Sequence, residues 1–173
     1  TLGDTGTGML MAISILGALY QKRETGEGQR ITLAMQDAML QYARLAFSDT
    51  MKTGKPSARA GEGVVTGGNA PMGLFPCKPG GSNDYVYIYV NRANNRQWHR
   101  LLKVIDRADL IGDERFETAR DRFAHKAEIN ALLEPWTMER TKAEAMETIG
   151  GGGVPCGAIY DTRRLMWHTG PGD

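Results

Sequence analysis

The stretch "DYVYIYV", residues 84–90, sets the fold class. Tyr85, Tyr87 and Tyr89 alternate with Val86, Ile88 and Val90. Aromatic and β-branched residues at period two predict a strand. The tyrosines are expected to form one face of that strand, packed on helices. No basic residues are interleaved with them, as they would be on a base-stacking platform. Immediately downstream, "NRQWHRLLKVI" (95–105) places Trp98, Leu101, Leu102 and Ile105 on one side of a helix. "DLIGDERF" (109–116) is a turn-rich link, and helices are expected over about 118–133 and 142–149. "GGGG" (150–153) stops the latter. "VPCGAIYD" (154–161) predicts a second strand, and "TRRLM" (162–166) the start of a helix. Strand, helices and strand make a small α/β domain over 84–166, with 167–173 as a tail.

Upstream of this module the pattern changes. Met9 to Arg23 predicts a helix, with Met9, Ile13, Leu16 and Tyr20 at helical spacing. Gly26, in "TGEG" (25–28), is a natural left-handed stop. "RITLA" (30–34) alternates as a short strand would, and a second helix is expected from Met35 to Met51. Residues 54–83 are rich in glycine and proline and predict a long linker, of the kind that is functional or mobile in compact proteins. Residues 1–53 therefore read as the trailing edge of another domain, of which helices are the visible part. There is no internal repeat. Both ends read as internal to a longer chain.

Composition narrows the function classes. The sequence is 41% apolar and 24% charged, with a net charge of +1. That charge gives no field to hold nucleic acid or an anionic membrane. The longest apolar run, Met9 to Leu19, is shorter than the roughly 20 residues a bilayer demands, and no charged leader precedes it. Cys77 and Cys156 have no paired spacing. They are expected to be buried, reduced thiols in a cytoplasmic protein.

"GDTGTGML" (3–10) carries one acid, Asp4, among small residues just ahead of the apolar run. Asp4 suits two roles. It could cap the helix, accepting backbone N–H bonds. The cap is the commoner role for such a residue, and the same place also suits a nucleophile, kept ionised by the helix N-terminus and open to substrate because Gly3, Thr5, Gly6 and Gly8 are small. The glycine runs do not make a phosphate loop: "GDTGTG" misses the dinucleotide spacing, and "GGGG" lacks the Lys-Ser/Thr ending. His99, His125 and His168 have no ligand spacing to one another or to a cysteine, so no metal site is expected. No Ser/His/Asp arrangement supports a hydrolase triad.

Taken in order, "GDTGTGM", "TGEGQRITLAMQDAML", "GGNAPMGLFPCKPG", "DYVYIYV" and "GVPCGAIYD" resemble the class III CoA-transferases, the formyl-CoA:oxalate CoA-transferase type above all. The likeness runs from Thr1 to about Met166. It implies a large Rossmann-like domain and a small α/β domain, in two subunits threaded through each other as an interlocked homodimer. It implies that Asp4 is the nucleophile. Its carboxylate would attack an acyl-CoA thioester to give an acyl-aspartyl anhydride. The CoA thiolate would then form an aspartyl-CoA thioester, and a carboxylic acid would take over the CoA. Coenzyme A enters as a thioester substrate, and no cofactor is implied. The "GGNA" motif falls on Gly67, Gly68, Asn69 and Ala70, and in the family a flexible glycine loop follows it and closes over the reacting site. Gly67, Gly68, Asn69 and Gly73 are thus the expected substrate-binding residues. Where the oxalate enzymes continue with glycines, this chain has Pro71, Met72, Gly73, Leu74 and Phe75. That implies a shorter, more apolar loop and a less polar acyl group.

The family's first half, with most of its CoA-binding surface, has no counterpart here, so these residues alone are expected to be inactive. Two other functions fit the same residues. An α-methylacyl-CoA racemase would use Asp4 as an acid/base with a histidine from the first half. A non-catalytic α/β interaction module would use Asp4 only as a cap.

Overall fold

The computed structural model describes residues 1–59 and 68–167. The chain divides into two compact units, Thr1–Arg59 and Ala60–Asp173. The first holds three helices: α1 (Leu2–Thr25), α2 (Met35–Tyr42) and α3 (Arg44–Thr53). The second holds β1 (Met72–Pro76), β2 (Tyr85–Tyr89), α4 (Arg96–Val104), α5 (Ala119–Ala124), α6 (Lys126–Met138), α7 (Lys142–Gly151), β3 (Cys156–Ala158) and α8 (Thr162–Trp167).

α1 begins well before the apolar run. Its N-cap is Thr1, and it ends on Gly26 in the left-handed conformation at φ 78°. At 24 residues it is the one described helix long and apolar enough to cross a membrane. The length exclusion drawn from Met9 to Leu19 therefore fails for the helix as a whole. Ile13, Leu16 and Tyr20, spaced for one face, are all largely exposed. Within the unit, α1 packs on α2 through its glycines. A Cβ on Gly3 would lie 3.4 Å from the Met35 sulfur, and one on Gly6 would lie 2.9 Å from the Tyr42 hydroxyl and 3.2 Å from Met39. Met35, Met39 and Tyr42 are the i, i+4, i+7 face of α2.

The single helix expected over 35–51 breaks at Ala43. There the backbone tightens to an i→i−3 bond, Ala43 N–H to Leu40 O at 3.0 Å. "RITLA" forms no strand. Its alternation is real, with Ile31 and Leu33 half-buried and Thr32 exposed. No other strand lies among the described residues of its unit, and a strand without a partner leaves its backbone groups unpaired.

The second unit is an antiparallel sheet in the order β1-β2-β3, with Phe75 opposite Val86 and Ile88 opposite both Gly73 and Cys156. β1 lies inside the segment read as a linker. The sequence hid it because Gly73 and Pro76 interrupt its pattern. One sheet face carries Phe75, Val86 and Ile88 into a core shared with Trp98, Leu101 and Leu102 of α4, Ile129 and Leu133 of α6, and Ala145 and Ile149 of α7. The tyrosines lie on the opposite face, so the expectation that they pack on helices is reversed. Tyr85 and Tyr87 are half-buried and Tyr89 is exposed. The valines and isoleucine fill the core because an aliphatic side chain buries no polar atom there, whereas a tyrosine in the core would bury a hydroxyl that needs a partner.

The helix expected over 118–133 is also two, broken at His125. Thr118 caps α5, accepting from Asp121 N–H at 3.1 Å. α7 ends at Gly151, inside the glycine run as expected. Two of those glycines do separate work. Gly153 takes φ 77°, and a Cβ on Gly152 would fall 2.4 Å from Val104 of α4.

α7 opens with a capping box. The Thr141 hydroxyl accepts from Glu144 N–H at 3.2 Å, and the Glu144 carboxylate accepts from Thr141 N–H at 2.7 Å. Thr141→Ala is expected to cost about 1 kcal/mol, read as a lowered urea midpoint. The Thr141 backbone and side chain hold the Glu144 carboxyl below the usual carboxylate range. This half of the box is therefore present at neutral pH and lost as acidification protonates Glu144 in the folded state. The midpoint difference between wild type and Glu144→Gln should narrow on acidification.

Candidate functional site

Asp4 is the third residue of α1, in its first turn, and not the residue that precedes the helix. It therefore does not cap the end as an N-cap would. Its carboxylate is exposed, and among the described residues no hydrogen bond or ion pair reaches it. The Thr1 side chain makes no capping bond. The first intrahelical bond runs from Thr5 N–H to Thr1 O at 2.9 Å. The N–H groups of Leu2, Gly3 and Asp4 therefore stand ahead of the helical ladder. A carboxylate at this end of a helix has free backbone donors at hand for an oxyanion. The small residues around it divide in use. Gly3 and Gly6 are filled by α2, correcting their expected role in admitting substrate, while nothing lies within 4 Å of where a Cβ on Gly8 would sit.

The glycine motif belongs to the second unit. Gly67 lies outside the described residues. Gly68 is half-buried, and the ring of Phe123 on α5 occupies the space its side chain would fill: a Cβ there would lie 1.7 Å from the ring. Any substitution at Gly68 must displace that ring. Asn69 is buried, and its amide donates to Val90 O at the end of β2. Its other side-chain atom, Oδ1, is buried without a partner. Pro71 O accepts from Val90 N–H at 3.1 Å. Gly73 is buried within β1 at φ 152°, a conformation that L side chains rarely adopt. The apolar loop expected over 71–75 is therefore largely strand. Met72 and Phe75 point into buried space, so their apolarity serves packing and gives no information on the acyl group.

One residue that the sequence did not single out meets this motif. Arg122 of α5 is fully buried. Its Nε donates to Ala70 O at 3.1 Å, and one terminal nitrogen donates to Asn95 Oδ1 and Phe116 O, each at 2.9 Å. Burial lowers its pKa from the ordinary guanidinium value, countered by Glu117 and Asp121. "ARDRFA" is too short to show a periodicity that would place Arg122 inside, and arginine is by default a surface residue.

Cys77 is buried and Cys156 half-buried, and both thiols are free. Burial raises the Cys77 pKa and pushes Cys156 up to about 12. Neither holds thiolate at neutral pH, so neither is a nucleophile. Iodoacetamide at pH 8 is expected to leave both unmodified in the folded protein and to label both in denaturant. Mass spectrometry reads the difference. Among the described residues no three His, Cys, Asp or Glu side chains converge as metal ligands.

Comparison with known proteins covers almost the whole chain. The model of CoA-transferase family III matches residues 1–169. The formyl-CoA:oxalate CoA-transferase of Streptomyces coelicolor is 35% identical over 176 residues, and that of a Rhodopseudomonas palustris strain is 34% identical over 179. Each match covers 95% of this chain and 42% of the relative, so the chain spans less than half the length of these relatives. Among solved structures, a CaiB/BaiF family protein from Brucella suis superposes with a TM-score of 0.73 at 28% identity, over 95% of this chain and 42% of that one. A protein from Mycobacterium tuberculosis superposes at 0.76 with 20% identity, over 96% of this chain and 41% of its own, which bears on the fold alone.

Proposed function

This chain belongs to CoA-transferase family III, and we propose that it carries the nucleophile of such an enzyme, Asp4, together with its small domain. The observation that carries the reading is the Asp4 carboxylate itself: exposed, without a partner among the described residues, and in the first turn of α1. A carboxylate engaged in a cap or ion pair would have to break those bonds to react. This one is ready to attack.

A carboxylate oxygen of Asp4 adds to the thioester carbonyl. The C–S bond breaks, leaving an acyl-aspartyl anhydride and CoA thiolate. The thiolate attacks the aspartyl carbonyl and releases the first acid, leaving an aspartyl-CoA thioester. The acceptor carboxylate then repeats the sequence in reverse, and Asp4 is regenerated. Covalent catalysis of this kind divides one difficult exchange into easier steps. Each addition builds an oxyanion, for which the free N–H groups of the first turn of α1 are candidate donors.

Formyl-CoA and oxalate are the donor and acceptor to test first, since the relatives bear those names. The remaining length of the enzyme supplies the CoA surface and covers the exposed apolar residues of α1. The full-length protein is proposed to be an interlocked cytoplasmic homodimer, with coenzyme A only as substrate. In the test, the full-length protein is incubated with formyl-CoA, trapped with hydroxylamine and mapped by mass spectrometry. A hydroxamate at Asp4, absent in Asp4→Asn, is the expected result. No adduct, with exchange of the α-proton of a branched acyl-CoA, would favour the racemase reading. Neither signal would leave Asp4 as an ordinary helix residue.

A further inference from the structure

We propose that Thr7 is a positioning residue for the transfer reaction: its hydroxyl, bonded to Gly3 O, strengthens and orients the Asp4 N–H as a donor to the oxyanion that forms on Asp4 itself. This rests on the reading of Asp4 as the nucleophile.

Thr7 Oγ1 donates to Gly3 O at 2.5 Å, one turn back along α1. Such back-bonding is ordinary in helices and slightly weakens them. α1 holds two others, from Ser14 to Leu10 O at 2.9 Å and from Thr25 to Gln21 O at 3.0 Å. What differs is the peptide unit that receives the bond. The Leu10–Met11 and Gln21–Lys22 peptides lie inside the helix, where their N–H groups are taken by the helical ladder. The Gly3–Asp4 peptide lies ahead of that ladder, which starts at Thr5 N–H. Amide resonance joins the two ends of a peptide, so electron density drawn to the oxygen leaves the nitrogen. A hydroxyl on Gly3 O therefore makes the Asp4 N–H a stronger donor, as linked hydrogen bonds polarise one another. It also ties the plane of that peptide to the next turn, and with it the Cα that carries the nucleophile.

The step served is the second addition. The CoA sulfur adds to Cγ of Asp4 in the anhydride, a C–S bond forms, and the carbonyl electron pair moves to Oδ. When that pair returns, the bond to the acyl carboxylate breaks and the first acid leaves. The oxyanion in between is an atom of Asp4, so it stays tethered to the first turn of α1. A helical side chain leans back toward the N-terminal turn, which is where these N–H groups stand. Loss of a whole oxyanion donor costs about 10²–10³ in kcat. A linked bond adds about 10–30% to its neighbour's strength, so the Thr7 hydroxyl contributes about two- to eightfold.

The experiment compares full-length wild type, Thr7→Val and Thr7→Ser with formyl-CoA and oxalate. It reads kcat, KM, thermal midpoint and the hydroxylamine-trapped Asp4 adduct. Thr7→Val keeps the shape of the side chain and loses the donor. It is expected to lower kcat about two- to eightfold, with KM and midpoint unchanged. Thr7→Ser keeps the hydroxyl and is expected to restore kcat. A wild-type kcat in folded Thr7→Val overturns the proposal, whatever its midpoint, because the bond would then be structural alone. A Thr7→Ser no faster than Thr7→Val overturns it too. Should Thr7→Val fail to fold, Thr7→Ala decides by the same readouts, since alanine is the better helix former. Absence of an Asp4 adduct in wild type would instead overturn the function on which the proposal rests.

Discussion

In the full-length enzyme, Asp4→Asn is expected to lower transfer kcat by about 10⁴-fold or more while the thermal midpoint stays nearly constant. The two halves of this result have separate causes. Asparagine cannot displace a thiolate to form an anhydride, so the covalent route closes. Stability barely changes because no hydrogen bond or ion pair among the described residues reaches the carboxylate. What the fold loses is the interaction of one charge with the first turn of α1, about 0.3–1 kcal/mol. A true N-cap would reverse the proportions, with a stability loss of about 1 kcal/mol and an ordinary kcat. Kinetics and thermal melting on one pair of proteins therefore separate nucleophile from cap. A large rate loss accompanied by a fall of many degrees would point to misfolding and sink the assignment.

Asp4 shows what sequence could and could not convey here. Its acidity, its small neighbours and the apolar run behind it were all legible. Its place within the helix was not, because "GDTGTG" has a composition that predicts loop. The helix forms there because Gly3 and Gly6 let α1 lie close against Met35, Met39 and Tyr42. Tertiary packing of this kind outweighs the weak propensity of glycine and threonine. The same contact reassigns two glycines from substrate access to structure.

The second unit was read more fully. β2, α4 and α7 each carry a strong period or a clear stop, and each was placed to within a few residues. β1 was missed because Gly73 and Pro76 dilute its pattern, and with it went the meaning of Met72 and Phe75. Which face of β2 is inside could not be told from alternation, since both sets of residues are apolar enough to pack. Arg122 is the deepest omission. Its role comes from acceptors 6, 27 and 52 residues away along the chain, and no local pattern encodes such a meeting.

Trp98→Ala should have the largest effect on the stability of the second unit, a loss of about 3–5 kcal/mol. Trp98 is the largest of the fully buried side chains, and it meets Phe116 edge to face with centroids 6.0 Å apart. Truncation leaves a cavity that the surrounding sheet and helices cannot collapse to fill. A domain of this size has only about 5–15 kcal/mol in hand, so unfolding at moderate urea is expected. Circular dichroism is the suitable probe, since fluorescence would lose one of its own reporters. Trp98 also lies against the buried Arg122 guanidinium, 5.7 Å from ring centre to carbon, so truncation removes that contact as well. Trp98→Phe keeps an aromatic edge against Phe116 and should recover a large part of the loss. A loss below about 1 kcal/mol for Trp98→Ala would mean that the core does not close around this ring, and the contact with Arg122 would fall with it.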